Sequence, residues 1–333
     1  MMEIEKAIAR LFDTAGLGTI LPPVTPVSGG YMHRMYRVNT PGHSYAVKHL
    51  NPEIMKRPNV MENYRKAERL EQIIEGAGIP VVAAITINGQ KMQIVGDDYF
   101  YIFHWQNGSI TDWNNITPEQ CRQAGAIQAR IHALQPRHTD HTVPELCAIN
   151  WAEHTTEAEQ QGSVIAPLLK ENEQLLNDVQ EALNNARLAL PGIECITNED
   201  MDPKNVMWDE GKPVMIDLEC LDYGNPVSHV LQLSLQWAGV TTCTLDLDKV
   251  KAFFAGYLET WDNGFRDYAG VLGLAYTWIE WLEYNITRAL GHCQDKHERE
   301  MGISEVRNTI NRIRYIHEME GQIRHMLNRM FMS

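Results

Sequence analysis

The pattern of apolar residues changes near Trp105, from short runs separated by turns to long stretches with helical spacing. Short runs bounded by Gly, Pro and Asn-Gly turns are typical of strands joined by hairpins. Strands are predicted at 24–27, 35–38, 44–48, 81–87, 91–95 and 99–103. A helix is predicted at 60–75, closed by Gly76, Gly78 and Pro80. The chain therefore begins with a small sheet and one helix.

The second part of the chain is mostly helical in pattern. Thr117-Pro118-Glu119-Gln120 has the form of a capping box at a helix start. Helices are predicted at 121–134, 165–189, 248–261, 268–290 and 304–330. Between them, the apolar runs 205–208 and 213–216 flank an Asp-Glu-Gly turn and predict one hairpin. We expect an α+β chain with two domains, 1–104 and 105–333.

Composition narrows the classes of function. The chain has 333 residues and a formal net charge of −14, which disfavours binding to a nucleic-acid phosphate backbone. Apolar runs are too short for a membrane span, and the N-terminus lacks a signal-peptide core, so we expect a cytoplasmic protein without a membrane partner. The six cysteines are far apart in sequence, which argues against structural zinc and disulfide staples.

Acidic and amide side chains are concentrated around the predicted hairpin. Asp200 precedes the hairpin, Asn205 is the first residue of its first strand, and Asp217 follows its second strand. Oxygen-bearing side chains that converge in this way suit Mg²⁺, which prefers oxygen ligands. Taken singly, each residue is also a common turn former, because Asp and Asn hydrogen-bond to their own backbone.

A second pattern lies near the N-terminus. Ser28-Gly29-Gly30 forms a glycine turn between two predicted strands, and Lys48 ends the next strand. Glycine allows backbone N–H groups to approach phosphate oxygens closely, and a lysine can reach the α- and β-phosphates as a point charge. Alone, each feature has an ordinary explanation, a hairpin turn or an exposed edge charge.

A lysine in such a position needs a carboxylate to orient it. The helix predicted at 60–75 offers several glutamates, of which Glu68 is our first choice and Glu71 our second. Because a helix rich in glutamate usually presents a solvated face, the identity of the partner stays open.

Together these motifs resemble the aminoglycoside phosphotransferase and choline kinase-like family, which shares the two-lobed protein-kinase-like fold. The resemblance spans most of the chain and depends on the order of its motifs. They are the glycine turn 28–30, Ala46-Val47-Lys48, Gly78-Ile79-Pro80-Val81, the connector 101–105, Ile131-His132-Ala133-Leu134, Asp200 with Asn205, and Ile216-Asp217-Leu218-Glu219.

The resemblance implies the cofactors ATP and Mg²⁺, with GTP left open as the nucleotide. It implies that Asp200 is the catalytic aspartate, that Asn205 and Asp217 hold Mg²⁺, and that Lys48 binds the α/β-phosphates. The other nucleotide contacts that it implies are Ser28, Gly29, Gly30, Ala46, Glu68, Phe103, His104 and Trp105.

Two positions depart from the family pattern. Asn198 stands where the family has the histidine that heads the catalytic loop, and His229 stands where it usually has an aspartate. An amide can still donate a hydrogen bond, but it lacks the shape of imidazole. The principal expectation is a competent kinase, and the alternative is a catalytically weak, nucleotide-binding regulatory protein.

The acceptor is expected to be a hydroxyl of an amino sugar, amino alcohol or similar small molecule. The predicted helix 268–290 carries aromatic and acidic residues that could bind an amine, although such a stripe is more often part of the core. The candidate acceptor contacts are Glu280, Trp281, Glu283 and Tyr284, with Asp202 and Asp222 near the hairpin as further candidates or turn caps. A cationic acceptor is compatible with the acidic composition, and the oligomeric state stays open.

Overall fold

The computed structural model describes residues 3–27, 33–139, 144–293 and 295–331. The chain divides into two compact units. Unit 1 comprises Met1–Thr111 and Asn198–Asp222, and unit 2 comprises Asp112–Thr197 and Tyr223–Ser333. The α+β fold class predicted from the sequence is confirmed.

The elements of the first part are α1 (Glu3–Ala15), β1 (Leu21–Val27), β2 (Arg34–Thr40), β3 (His43–His49), α2 (Pro52–Met55), α3 (Val60–Gly76), β4 (Gln93–Val95), β5 (Asp98–His104) and β6 (Ser109–Ile110). The following elements are α4 (Pro118–His132), β7 (Arg137–His138), α5 (Trp151–Gln160), α6 (Ala166–Leu188), β8 (Ile193–Asn198), β9 (Val206–Asp209), β10 (Lys212–Met215) and β11 (Leu221–Gly224). The chain ends with α7 (Pro226–Trp237), α8 (Leu247–Thr260), α9 (Trp278–Ala289) and α10 (Lys296–Phe331).

The main sheet of unit 1 is antiparallel, with the strand order β1-β2-β3-β5-β4. Because successive side chains of a strand point to opposite faces, Tyr45 and Val47 of β3 lie on one face and Ala46 and Lys48 on the other. The first face packs against α1 in a core that contains Ile8, Leu11, Phe12, Tyr36, Val38, Tyr45, Val47, Phe100 and Ile102. The second face therefore carries the lysine that the motif predicts.

The predicted hairpin is present as β9 and β10, joined by Glu210 and Gly211, both with positive φ. This two-residue turn matches the right-handed twist of the strands. The boundary predicted from the sequence places this segment in the second domain, 105–333, whereas it belongs to unit 1. The reason is backbone pairing: β6 pairs with β9, and Met215 exchanges backbone hydrogen bonds with Pro80 and Val82.

One predicted strand, 81–87, is not formed as a strand. Its Val82 N–H donates to Met215, and its Ile85 N–H donates to Ile102. The run therefore divides its hydrogen bonds between two partners instead of pairing along one strand. The Asn88-Gly89 turn that follows is confirmed, with both residues at positive φ.

Unit 2 contains the predicted helices, but the last one begins at Lys296 instead of 304, and α5 and α7 were not predicted. The predicted helix 268–290 is interrupted: a short 3₁₀ helix, Leu272–Tyr276, precedes α9. The predicted capping box is present, since Thr117 and Gln120 satisfy each other's backbone N–H groups at the start of α4. A small sheet with the order β11-β8-β7 also forms. Within the described ranges, no helix is long and apolar enough to cross a membrane.

Candidate active site

The second face of the main sheet forms one wall of a cavity in unit 1. Strand pairing sets Ala46 opposite Phe103 and Lys48 opposite Tyr101. The other walls come from α3 and from the segment after β10, and the cavity is lined by Lys48, Tyr64, Ala67, Glu68, Glu71, Ala84, Tyr101, Phe103, Asp217, Leu218 and Glu219. The alternation of β3 and β5 thus places the predicted lysine beside the predicted metal-binding aspartate.

Lys48 is 6% exposed and is held by two carboxylates. Its Nζ lies 2.8 Å from Oδ1 of Asp217 and 2.6 Å from Oε1 of Glu219. Burial opposes the charge on the lysine, but Glu219 and Asp217 outweigh it and raise the pKa of Lys48. The ammonium is therefore retained at physiological pH inside a largely buried site.

Glu219 is fixed in turn by His33. Nε2 of His33 lies 3.2 Å from Oε2 of Glu219, while Nδ1 accepts the backbone N–H of Asn51 at 3.0 Å. Because Nδ1 is used as an acceptor, the hydrogen-bond network assigns the ring proton to Nε2, which donates to the carboxylate. Burial disfavours the ionised carboxyl, but His33 and Lys48 hold the pKa of Glu219 below its usual value.

The predicted pairing of Lys48 with a helix glutamate is not what the structure forms. Glu68 lines the same cavity, but its Oε1 accepts from the Tyr101 hydroxyl at 2.9 Å and from the Met92 N–H at 3.1 Å. Glu71, the second choice, accepts from the Ala84 N–H and pairs with Lys91. Both glutamates bind α3 to other segments of the same unit, and Lys48 pairs with Asp217 and Glu219 instead.

The loop after β8 is organised by amide side chains. Asn198 is fully buried, and its Oδ1 accepts the backbone N–H of Asp200 at 3.3 Å. Nδ2 of Asn205 lies 2.8 Å from both the backbone oxygen and Oδ2 of Asp200. The Asn205 carbonyl accepts from the Ile216 N–H, which joins the loop to the strand that leads to Asp217. These contacts fix the carboxylate of Asp200 relative to the hairpin.

Lys204 also contacts this carboxylate. Its Nζ lies 2.8 Å from Oδ1 of Asp200 and 3.1 Å from Oδ2 of Asp202. Partial burial works against the ammonium, but Asp202 and Asp200 outweigh it and raise the pKa of Lys204. Asp202, a predicted acceptor contact, accepts the Lys204 backbone N–H through Oδ1 and caps the short 3₁₀ helix Pro203–Asn205.

The donor atoms that remain suit a magnesium ion. Nδ2 of Asn205 donates hydrogen bonds to Asp200, so Oδ1 is the atom of this amide that is left to bind a cation. Asp217 has φ of 59°, an uncommon value for a residue other than glycine that is often found where function constrains the backbone. Among the described residues, no group of three or more His, Cys, Asp or Glu could hold a metal ion. One carboxylate and one amide fit Mg²⁺, which keeps water or phosphate as its other ligands.

The backbone hydrogen bonds at the end of β5 show which of the predicted purine contacts has its backbone groups free of β3. The N–H of Trp105 donates to the Ser44 carbonyl at 3.0 Å, so it is committed to β3. In an antiparallel pair, the hydrogen-bonding groups of successive residues alternate in direction. The backbone of His104 therefore faces the same side as that of Ile102, whose carbonyl accepts from the Ile85 N–H. Of the three predicted purine contacts, Phe103, His104 and Trp105, His104 is therefore the one whose backbone is turned away from β3.

The predicted acceptor contacts on α9 are already partnered within unit 2. Both oxygens of Glu280 bind Arg187, at 2.8 and 3.0 Å, and Glu283 lies 3.6 Å from His154. Trp281 and Tyr284 are 41% and 45% exposed, with ring centroids 5.4 Å apart. The stripe is therefore not simply core, and its acids already contact Arg187 and His154. In unit 1, Asp222 pairs with Lys66 of α3.

Sequence reasoning missed the partners of Lys48 and of Asp200. It also missed the surroundings of His229, the second position that departs from the family pattern. His33, Glu219 and Lys204 were not singled out for roles, although Glu219 stands two residues after Asp217 and such spacing on an extended segment can bring two acids to one cation. In unit 2, His229 is buried, and its Nδ1 lies 3.0 Å from Nε2 of His132 and 3.0 Å from Nε2 of Gln128. The predicted phosphate contacts Ser28, Gly29 and Gly30 lie outside the described residues.

Comparison with known proteins identifies the family and the fold. A family model described as the phosphotransferase enzyme family matches residues 23–265. A search of curated protein sequences finds no significant match. Spectinomycin phosphotransferase APH(9)-Ia, solved with ADP and spectinomycin, is similar in fold, with a TM-score of 0.69 at 12% identity over 92% of this chain and 97% of that chain.

Two further solved structures share the fold. Amicoumacin kinase hAmiN, in complex with AMP-PNP and Ca²⁺, has a TM-score of 0.60 at 11% identity, over 93% of this chain and 96% of that chain. Choline kinase LicA from Streptococcus pneumoniae has a TM-score of 0.59 at 14% identity, over 94% and 99%. The family match covers well over half of the chain, which therefore belongs to the phosphotransferase enzyme family and is a small-molecule phosphotransferase with a protein-kinase-like fold.

Proposed function

We propose that this protein transfers the γ-phosphoryl group of ATP, with Mg²⁺, to a hydroxyl of an amino sugar, amino alcohol or similar small metabolite. The observation that carries the proposal is the assembly of Lys48, Asp217, Asn205 and Asp200 within one unit, with defined contacts between neighbours. Phosphoryl transfer requires mainly positioning and charge neutralisation, and this assembly offers groups for both.

Each side chain has a role that its contacts support. Lys48 binds the α- and β-phosphates, and Glu219 with His33 keeps the ammonium in place when Asp217 turns to the metal. The backbone of His104 contacts the purine edge, and Ala46 packs on its face. Asn205 and Asp217 would hold Mg²⁺, which supplies positive charge that bridges the nucleotide phosphates.

Asp200 accepts the proton of the acceptor hydroxyl. Its Oδ2 is held by Asn205, and its side chain is about one-third exposed, so a small alcohol can reach it. An ionised carboxylate has about four acceptor positions, so it can keep its present contacts and still bind a hydroxyl. The loop geometry thus suits a base that is fixed in place before the acceptor arrives.

An amine-bearing acceptor is supported by the net charge of −14 and by the exposed aromatic pair Trp281 and Tyr284. Aromatic faces bind organic cations by cation–π attraction. Glu280 and Glu283 are paired with Arg187 and His154, so a cation that used these acids would have to displace those partners. The guanidinium of Arg288 already lies over the Tyr284 ring, 5.4 Å from its centroid, so the Trp281 ring is the more accessible amine contact on α9.

The nucleotide and metal roles are tested by titrating the purified protein with ATP, with and without Mg²⁺. Asp217→Asn is expected to lose the Mg²⁺-dependent part of ATP binding, whereas Asp200→Asn should keep binding and lose ~10²-fold or more in transfer rate. Asp209→Asn removes an exposed carboxylate at the tip of the same hairpin and should match the wild type. Full Mg²⁺-dependent binding in Asp217→Asn would overturn the metal assignment.

The acceptor is found by screening amines, amino sugars and amino alcohols for nucleotide consumption with ATP and with GTP. Phosphorylation of one compound class supports the proposal and names the substrate. Tight Mg·ATP binding with no acceptor phosphorylated would instead favour the regulatory alternative raised by Asn198.

A further inference from the structure

The loop that carries Asp200 is strongly acidic. Residues 198–205 contain Glu199, Asp200 and Asp202, and a single cation, Lys204. A nucleotide whose γ-phosphate approaches this loop brings further negative charge to a cluster of carboxylates. Transfer there requires a positive group close to the reacting atoms, in addition to any metal ion.

Lys204 is placed to supply that charge. Its Nζ is 2.8 Å from Oδ1 of Asp200, and the contact with Oδ2 of Asp202 at 3.1 Å holds the amine from a second side. The Asp202 carboxylate is itself fixed, because it caps the short 3₁₀ helix that carries Lys204. The ammonium is therefore oriented before any ligand binds.

Exposure leaves the amine accessible to a ligand. The side chains of Lys204 and Asp200 are 40% and 34% exposed, whereas that of Lys48 is 8% exposed and enclosed by Asp217 and Glu219. An acceptor hydroxyl that binds Asp200 lies about 2.7 Å from a carboxylate oxygen. Its oxygen, and the phosphorus that it attacks, would therefore be within reach of the Lys204 ammonium.

We propose that Lys204 is a catalytic residue that binds the γ-phosphoryl group of the nucleotide and neutralises its charge during transfer, an inference that rests on the proposed function. In this step the acceptor oxygen forms a bond to the γ-phosphorus, and the bond from phosphorus to the β,γ-bridging oxygen breaks. The bonding electron pair leaves with ADP, and the hydroxyl proton passes to Asp200. Lys204 donates hydrogen bonds to the phosphoryl oxygens throughout and exchanges no proton.

The test compares two nucleotides that differ in the group Lys204 is proposed to bind. The full-length wild type, Lys204→Met and Lys204→Arg are titrated calorimetrically with Mg·AMP-PNP and with Mg·ADP. Lys204→Met is expected to weaken Mg·AMP-PNP binding ~10-fold and to leave Mg·ADP binding within ~2-fold, because only the first ligand has a γ-phosphoryl group. Lys204→Arg should recover most of the loss. Lys212→Met, on the exposed start of β10, is the matched control.

A purely structural role for Lys204 predicts a different result. Disturbance of the Asp200 loop would change the two affinities equally or change neither, and either result in Lys204→Met overturns the inference. Retained Mg·ADP binding also shows that the variant is folded. If the wild type binds neither nucleotide, the proposed function itself fails, which is distinct from a failure confined to Lys204→Met.

A turnover measurement provides the second test. With an acceptor from the screen, or with water as acceptor, Lys204→Met is expected to lose ~10²-fold in kcat and less in KM for ATP, because the charge on the phosphoryl group matters most in the transition state. An unchanged kcat in Lys204→Met would overturn the catalytic role.

Discussion

The hydroxyl of Tyr101 donates a hydrogen bond to Oε1 of Glu68 at 2.9 Å, and the same oxygen accepts the N–H of Met92. The glutamate of α3 is thereby committed to β5 and to the chain before β4. Lys48, which lines the same cavity, takes Glu219 and Asp217 as its partners. The carboxylate that orients the lysine thus comes from the segment that also carries the candidate metal ligand.

This arrangement predicts that Glu219 matters more to nucleotide binding than Glu68. Glu219→Gln removes the charge 2.6 Å from Lys48 and leaves Asp217 as its remaining anionic partner, so we expect Mg·ATP affinity to fall ~10-fold. In Glu68→Gln the amide oxygen can still accept from Tyr101 and Met92, and affinity should stay within ~2-fold. Calorimetric titration of both variants with Mg·ATP measures the two affinities. A larger loss in Glu68→Gln would show that α3 supplies the partner once nucleotide binds.

The sequence predicted features that are set locally. Alternation along β3 and β5, the turn residues of the β9–β10 hairpin, and the capping box at Thr117 depend on neighbours a few residues apart. Lys48, Asp200, Asn205 and Asp217 were predicted on strands and turns whose local geometry could be read from the sequence, but their shared membership of unit 1 was not, because the predicted boundary at 104 placed the last three in the second domain.

The partners of these residues were harder to predict, because they are chosen by packing between distant segments. Glu68 and Glu219 are the same residue type, so the sequence does not show which of them pairs with Lys48. In the structure Glu68 accepts instead from Tyr101, which lies on β5. Likewise Glu280 meets Arg187, a residue 93 positions away. No local pattern contains such information, so the α9 acids seemed available for an amine.

Asn198 is predicted to be a competent replacement for the family's histidine. Its side chain is fully buried and its Oδ1 already accepts the Asp200 N–H. Asn198→Ala leaves that loop without its acceptor and should cost about 1–3 kcal/mol in the free energy of unfolding, together with ~10-fold in kcat. Asn198→His should not raise kcat more than ~2-fold. A large gain in Asn198→His, measured in the same turnover assay, would mean that the native loop is impaired.

The packing of α4 on α8 is predicted to depend on glycine at two positions. A Cβ added to Gly125 would collide with the carbonyl oxygen of Phe253, and one added to Gly256 would collide with that of Arg122. Because the Cβ would displace backbone atoms of a packed helix, Gly125→Ala should lower the free energy of unfolding by about 1–3 kcal/mol. Gly321→Ala in α10 has no atom within 4 Å of the new Cβ and should raise it by up to about 1 kcal/mol. Urea unfolding of the two variants checks both signs, and equal stability would contradict the close approach.

The buried cluster around His132 predicts a pH dependence of stability. His132 is fully buried; its Nδ1 lies 2.7 Å from the Tyr257 hydroxyl and its Nε2 faces Gln128 and Nδ1 of His229. Burial, followed by the neighbouring His229, holds the pKa of His132 well below its usual value. The folded protein therefore keeps this ring neutral at pH values where the unfolded chain binds a proton.

The sign of the effect follows from this difference. The stabilisation is fully present above the unfolded pKa of about 6.5 and is lost as the pH falls below it, with a slope of up to about 1.4 kcal/mol per pH unit for one proton. We expect His132→Gln to be less stable than the wild type at pH 7.5, because packing is lost, but to lose less on going to pH 5.5. His138→Gln, which replaces an exposed histidine of the same unit, should keep the wild-type dependence. Thermal unfolding at the two pH values measures these differences, and a His132→Gln protein with the wild-type pH slope would show that His132 does not control it.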